Sequence, residues 1–228
     1  MRDAHGLLER QRELERAVAA EEAALGREPK GWPAARIFFH VAQWRGRLRD
    51  ALTDLQAGRP YAPPPSNIDE FNERELPLGD GLPLKETSAR ADEMLTVLID
   101  LEAALGDRPF QWTITRTTGD ALIRNSYFHP RMHLYDYWRE NGDTSRARDL
   151  LERTADELRE LWPSPLILGA ALYNVAVIRV AQGREDEAIA LLEEAGPMRP
   201  DILSGAGADP DLATLKGNPR FEALTARR

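Results

Sequence analysis

Apolar residues recur along most of the chain at spacings of three, four and seven, with charged residues between them. This period is that of an α-helix that buries one face. Alternating β-branched runs are confined to the segment WTITRTT at residues 112–118. We therefore predict an all-α protein. Four apolar stripes lie within residues 1–141: Leu7, Leu14, Val18 and Leu25; Ile37, Val41, Trp44, Leu48, Leu52 and Leu55; Ala91, Leu95, Leu98, Leu101 and Leu105; and Leu122, Ser126, His129, His133 and Tyr137.

The second and third stripes are separated by a connection of unusual length, residues 57–83, which contains six prolines. Long segments without secondary structure are uncommon inside compact domains unless they have a role. A helix bundle with a crossover connection provides such a role, because the third helix can then run on another side of the bundle. Residues 1–141 are therefore predicted to form a four-helix bundle with a long crossover loop. Thr117 and Thr118 are candidate N-caps for the fourth helix.

Residues 142–228 have a different pattern, with predicted helices at 143–161, 166–182 and 185–194 joined by short turns. The stretch 169–202 resembles a tetratricopeptide repeat, with Ala188 at the small packing position, Gly183 in the turn and Pro200 after the second helix. The tail, residues 209–224, resembles the capping element that closes such arrays. We predict a second domain of tetratricopeptide-like helical hairpins.

Composition excludes several classes of function. The chain of 228 residues has a formal net charge of −8 and no prominent Lys/Arg cluster, which argues against nucleic-acid and anionic-membrane partners. It contains no cysteine, so disulfides, thiolate zinc sites and cysteine nucleophiles are excluded. The most apolar run, residues 166–178, is too short to cross a bilayer. These features favour a cytoplasmic protein.

Three of the four histidines form a candidate metal site. His129 and His133 are four residues apart and project from one helix face, and His40 lies on the core face of the second helix. Zinc and similar divalent metals are commonly held by such a pair plus a third ligand from another helix. His5, near the N-terminus, is the poorest candidate. The alternative is that the three are hydrogen-bonded core histidines that bind no metal.

Pro130 lies between the two histidines of the fourth helix. Because proline has no backbone N–H, the helix loses the hydrogen bond to the carbonyl of Ser126, and we expect a kink there.

Three segments, GWPAARIFFHVAQW at residues 31–44, IDEFNERE at 68–75 and NSYFHPRMH at 125–133, resemble in their order the DinB-like superfamily of four-helix bundles. That superfamily includes the damage-inducible DinB proteins and bacillithiol- and mycothiol-dependent enzymes. The resemblance covers residues 1–141. It implies that His40, His129 and His133 hold a divalent metal ion, zinc or nickel, with positions open to water or substrate.

Two functions follow as expectations. The first is a metal-dependent hydrolase or thiol transferase that acts on a small molecule, with any thiol supplied as a low-molecular-weight cosubstrate. The catalytic residues stay unknown, since Glu70, Glu73 and Glu75 of the long connection are more simply interpreted as a solvated acidic loop. The second is a non-catalytic interaction protein whose tetratricopeptide-like segment binds a protein, a peptide or a second copy in a homodimer.

Overall fold

A computed structural model describes residues 2–25 and 29–226 of the chain. The described residues are mostly helical, with eleven α-helices and one two-stranded antiparallel sheet, which confirms the all-α prediction. The described residues divide into two compact units, one within residues 3–147 and the other within residues 148–226 together with Arg2. The predicted domains, 1–141 and 142–228, stay a prediction.

The first unit is built on four long helical segments. Helix α1 spans Ala4–Leu25, α2 spans Ala34–Gln56 and α4 spans Leu84–Leu105. The fourth segment runs from Thr118 to Glu140 and has three parts: α5 at Thr118–Ile123, a π-helical turn at Arg124–Phe128, and α6 at His129–Glu140. Helix α4 packs on α1 and α2, and the fourth segment packs on α1 and α2 as well.

The core of this unit consists of the apolar stripes that the sequence shows. Leu48 and Leu52 of α2 meet Leu98 of α4 and Leu122 of α5 in one buried cluster. The predicted N-cap Thr117 is confirmed, since its side chain accepts a hydrogen bond from the backbone N–H of Asp120.

The long connection is not the plain loop that we expected. It contains a two-turn helix, α3, at Ile68–Glu75, followed by a 3-10 turn at Leu76–Gly79. Asn67 caps α3 by accepting a hydrogen bond from the Glu70 backbone N–H at 3.1 Å. Phe71 is buried and meets the Trp44 ring edge-to-face at 5.3 Å, so apolar burial fixes this helix against α2.

A hairpin precedes the fourth segment, with strands β1 at Pro109–Trp112 and β2 at Thr115–Thr117. Phe110 and Trp112 are buried. The turn residue Thr113 has φ of 49°, in the left-handed region that a β-branched residue rarely adopts.

The second unit consists of α8 at Pro165–Ala181, α9 at Glu185–Met198, α10 at Pro200–Ala206 and α11 at Pro219–Thr225, and it takes in most of α7 at Thr144–Leu161. Helices α8 and α9 pack on each other, and Ala188 at their interface is fully buried. Gly183 has φ of 71° in the turn that joins them, a conformation that glycine adopts without strain. A 3-10 turn at Pro210–Leu215 lies between α10 and α11. No helix among residues 2–25 and 29–226 combines the length and the apolar character needed to cross a bilayer.

Candidate metal centre

The three predicted histidines converge on one point in the first unit. The Nε2 atom of His129 lies 3.2 Å from Nε2 of His40 and 2.9 Å from Nε2 of His133. One ligand nitrogen from each ring can be chosen so that all three lie within 4.8 Å of one another. Nitrogens bound to one tetrahedral zinc ion at about 2.0–2.1 Å are roughly 3.3 Å apart. The two distances from His129, 2.9 and 3.2 Å, are close to the spacing of a metal-bound set.

Hydrogen bonds alone would hold these rings together only by sharing one nitrogen between two neighbours. An imidazole nitrogen carries either one proton or one lone pair, so it forms one ordinary two-centre hydrogen bond with a neighbour of the same kind. The Nε2 atom of His129 has two such neighbours within 3.2 Å. A cation between the three rings would engage all three lone pairs at once.

Burial keeps the three imidazoles neutral, the form that binds metal. His40 is buried, and desolvation together with the charge of His133 lowers its pKa to about 3. The pKa of His129 is held well below its usual value, first by burial and then by the charges of the two other histidines and of nearby arginines. Burial also lowers the pKa of His133, and the carboxylate of Asp136 opposes that shift.

The helix that carries His129 and His133 is deformed where Pro130 predicted a kink. The deformation is the π-helical turn at Arg124–Phe128, in which the backbone N–H of His129 donates to the carbonyl of Arg124. Such turns are rare and occur frequently at functional sites. The carbonyl of Ser126, which Pro130 deprives of its helical donor, accepts a hydrogen bond from Nη2 of Arg45 at 3.0 Å.

Arg45 belongs to a buried polar network that the sequence analysis did not identify. Its guanidinium is fully buried and forms two charge-assisted hydrogen bonds with the carboxylate of Glu15, at 2.7 and 2.8 Å. It also donates to the carbonyl of Ala91 at 3.0 Å. One side chain therefore ties α1, α2 and α4 to the π-helical turn beside the histidines. The sequence does place both residues on buried helix faces, because Glu15 lies three residues before the apolar Val18 and Arg45 lies three residues before the apolar Leu48.

Aromatic rings enclose the histidines. The Trp32 ring stacks on His133 with ring centroids 5.3 Å apart and meets the edge of His40 at 5.5 Å. Trp44 meets His40 edge-to-face at 6.5 Å. The role of Trp32 was missed in the sequence, where its only signal is a position two residues before the start of α2.

No carboxylate joins the three histidines as a fourth ligand among the described residues. Glu70 and Glu73 are exposed on α3, and Glu75 pairs with Arg74 at 3.0 Å. Asp136, together with His133 and Trp32, lines a cavity of about 240 Å³ on one side of the site. A second cavity, of about 250 Å³, adjoins His129. His5 is not part of the cluster.

Comparison of the chain with protein-family models, with curated proteins and with solved structures finds no match. The resemblance to the DinB-like superfamily therefore stays a prediction.

Proposed function

We propose that the first unit is a DinB-like four-helix bundle that holds one divalent metal ion, zinc or nickel, between His40, His129 and His133. The observation that carries the proposal is the convergence of three neutral imidazole nitrogens on one point. Three nitrogen ligands without a fourth protein ligand are typical of catalytic sites, which keep a coordination position for water or substrate.

The chemistry that such an ion supplies is a lowered pKa for a bound water or thiol, which generates a nucleophile at neutral pH. The chain's own residues prepare the site for it. The stacked ring of Trp32 restricts the orientation of His133, and the buried pair of Glu15 and Arg45 anchors the π-helical turn that precedes His129. A metal-dependent hydrolase or thiol transferase for small molecules is the activity that we infer from this arrangement and from the family resemblance.

The test is metal content of the purified full-length chain after incubation with zinc or nickel and desalting. We expect close to one ion per chain, and a large loss of bound metal in His129→Gln and His133→Gln. The matched control is His5→Gln, which removes the fourth histidine and should retain the ion. Circular dichroism checks that each variant is folded. A folded protein that binds no metal, or equal metal content in all three variants, would refute the proposal.

We propose as a second candidate that the tetratricopeptide-like unit binds a protein partner, with a second copy of the chain as the first to be examined. The observation that favours it is a groove of about 310 Å³ between α7, α8 and α9. Leu172, Val175 and Leu191 form its apolar part, and both signs of charge lie around them. An apolar groove with a polar rim is typical of peptide recognition by helical repeats. The two candidates involve different units and are compatible.

A further inference from the structure

The cavity beside His129 has a distinct chemical character. Its volume is about 250 Å³, slightly below the range of about 300–1,000 Å³ that is usual for drug-sized ligands, so it suits a small molecule. Five of the side chains that line it are apolar or aromatic: Trp44, Ile68, Trp112, Phe128 and Met132. The polar lining comes from Asn72, Thr113, Arg124, Asn125 and His129.

The charge in the cavity lining comes from one guanidinium group. Among the described residues that line it, Arg124 is the one charged side chain, and no carboxylate lines it. A guanidinium attracts an anion more strongly where apolar side chains partly exclude water than in open solvent. Arginine also matches the planar carboxylate group with paired N–H donors.

The π-helical turn brings this charge to the side of the metal centre. In an ordinary α-helix, residues five apart project in different directions, because neighbours on one face are three or four apart. In the π-helical turn the backbone N–H of His129 bonds the carbonyl of Arg124, so residues five apart lie over one another. The charge of Arg124 contributes accordingly to the lowered pKa of His129.

A second donor lines the same cavity. The Oδ1 atom of Asn72 in α3 accepts a hydrogen bond from the indole Nε1–H of Trp44 at 3.1 Å. This bond fixes the orientation of the amide and leaves its Nδ2 group as a donor at the cavity.

Backbone strain occurs at the same cavity. Thr113 keeps a left-handed φ of 49°, which is costly for a β-branched residue, and strained positions cluster at ligand sites. The Nε2 group of Gln111 donates to its carbonyl at 2.8 Å, and Nη1 of Arg124 reaches its hydroxyl at 3.3 Å. The hairpin thus holds Thr113 in a costly conformation where its hydroxyl contacts the cationic side chain.

We propose that this cavity binds small carboxylates with an aromatic or branched apolar body, with the carboxylate at Arg124 and Asn72 and the body against Trp44 and Trp112. The inference rests on the proposed function in one respect: it assigns such carboxylates as the substrate class of the metal centre to which His129 belongs.

The experiment uses the full-length, zinc-loaded chain and two probes of nearly equal shape, benzoate and benzamide, at constant ionic strength. The indole N–H resonance of Trp44, which lines the cavity, reports binding in an NMR titration. We expect benzoate to bind about tenfold or more tightly than benzamide, as a charge-assisted hydrogen bond exceeds a neutral one. In Arg124→Gln the affinity for benzoate should fall by about tenfold or more, and that for benzamide by less than about twofold.

Arg90→Gln is the matched control, because it removes the same charge from an exposed position on α4, outside the cavity. It should leave the affinity for benzoate unchanged. Arg124→Lys, which keeps the charge without the paired donors, should fall between the wild type and Arg124→Gln.

Equal affinities for the two probes, no binding of either probe, or an equal loss in Arg90→Gln and Arg124→Gln would overturn the inference. Zinc content is measured on the same samples. Zinc retained together with any of these results refutes the carboxylate site alone, whereas a wild type that binds neither zinc nor nickel refutes the proposed function.

Discussion

The ion pair between Glu15 and Arg45 gives the sharpest prediction about stability. Both side chains are buried, with exposed fractions of 7% and 0%. Glu15→Gln keeps the shape of the side chain but removes its charge, which leaves the guanidinium of Arg45 buried without its counterion. Removing one partner of a buried ion pair costs about 3–5 kcal/mol, because an uncompensated charge is left in a medium of low dielectric constant.

Two features of this site place the expected loss within that range. The mutation weakens two short charge-assisted hydrogen bonds, at 2.7 and 2.8 Å, while the amide oxygen of the new Gln side chain still accepts one donor. The bonds from Arg45 to the carbonyls of Ala91 and Ser126 give partial solvation of the remaining charge. We expect the free energy of unfolding to fall by about 3 kcal/mol.

The assay is urea unfolding of the metal-free protein, followed by far-UV circular dichroism, with midpoint and slope fitted together. Asp54→Asn is the control, since Asp54 pairs with Arg59 at a site where the side chains are 32% and 58% exposed. An exposed pair of this kind contributes about 0–1 kcal/mol. A loss of less than about 1 kcal/mol in Glu15→Gln at unchanged slope would contradict this prediction, because Glu15 would then behave like an exposed carboxylate.

Two further predictions concern acid stability and association. Burial lowers the pKa of His40 from 6.5 to about 3, so between these pH values the unfolded chain binds a proton that the folded chain does not. The free energy of unfolding of the metal-free protein should therefore fall as the pH falls through this window, by up to about 1.4 kcal/mol per pH unit for this histidine; urea midpoints that do not change between pH 7 and pH 5 would contradict it. If the groove of the second unit binds a second copy, the wild type should be a dimer by sedimentation velocity, and Leu191→Arg should be monomeric and folded; a monomeric wild type would exclude this homodimer.

The sequence contained enough information for the histidine cluster because each member lies on a helix face that periodicity identifies. His129 and His133 share a face through their spacing, and His40 follows the apolar stripe of α2. Helix α3 was missed although Asn67 and the acidic residues after it are typical of a helix start. The surrounding prolines favoured a loop, and burial of Phe71 against Trp44, a tertiary contact, decided the outcome.

The polar support of the site could not be predicted in the same way. Arg45 contacts Glu15, Ala91 and Ser126, which lie 30, 46 and 81 residues away in the chain. A periodic pattern indicates which face of a helix is buried but not which buried groups pair across the core. Thr113 is a similar case, because a β-branched residue favours extended backbone and its left-handed conformation follows from the hairpin that holds it.

Pro130 shows how a residue that is unfavourable within its own helix can suit the tertiary structure. A proline inside a helix costs about 3 kcal/mol, in part because the carbonyl four residues earlier loses its donor. Here that carbonyl, of Ser126, has Arg45 as its donor, so the loss is offset by a side chain from α2. The deformed backbone just before Pro130 is also the π-helical turn that brings Arg124 and His129 to one side. The same local deformation therefore links the buried ion pair, the histidine cluster and the cavity proposed for carboxylates. A straight α-helix with the same side chains would separate Arg124 from His129.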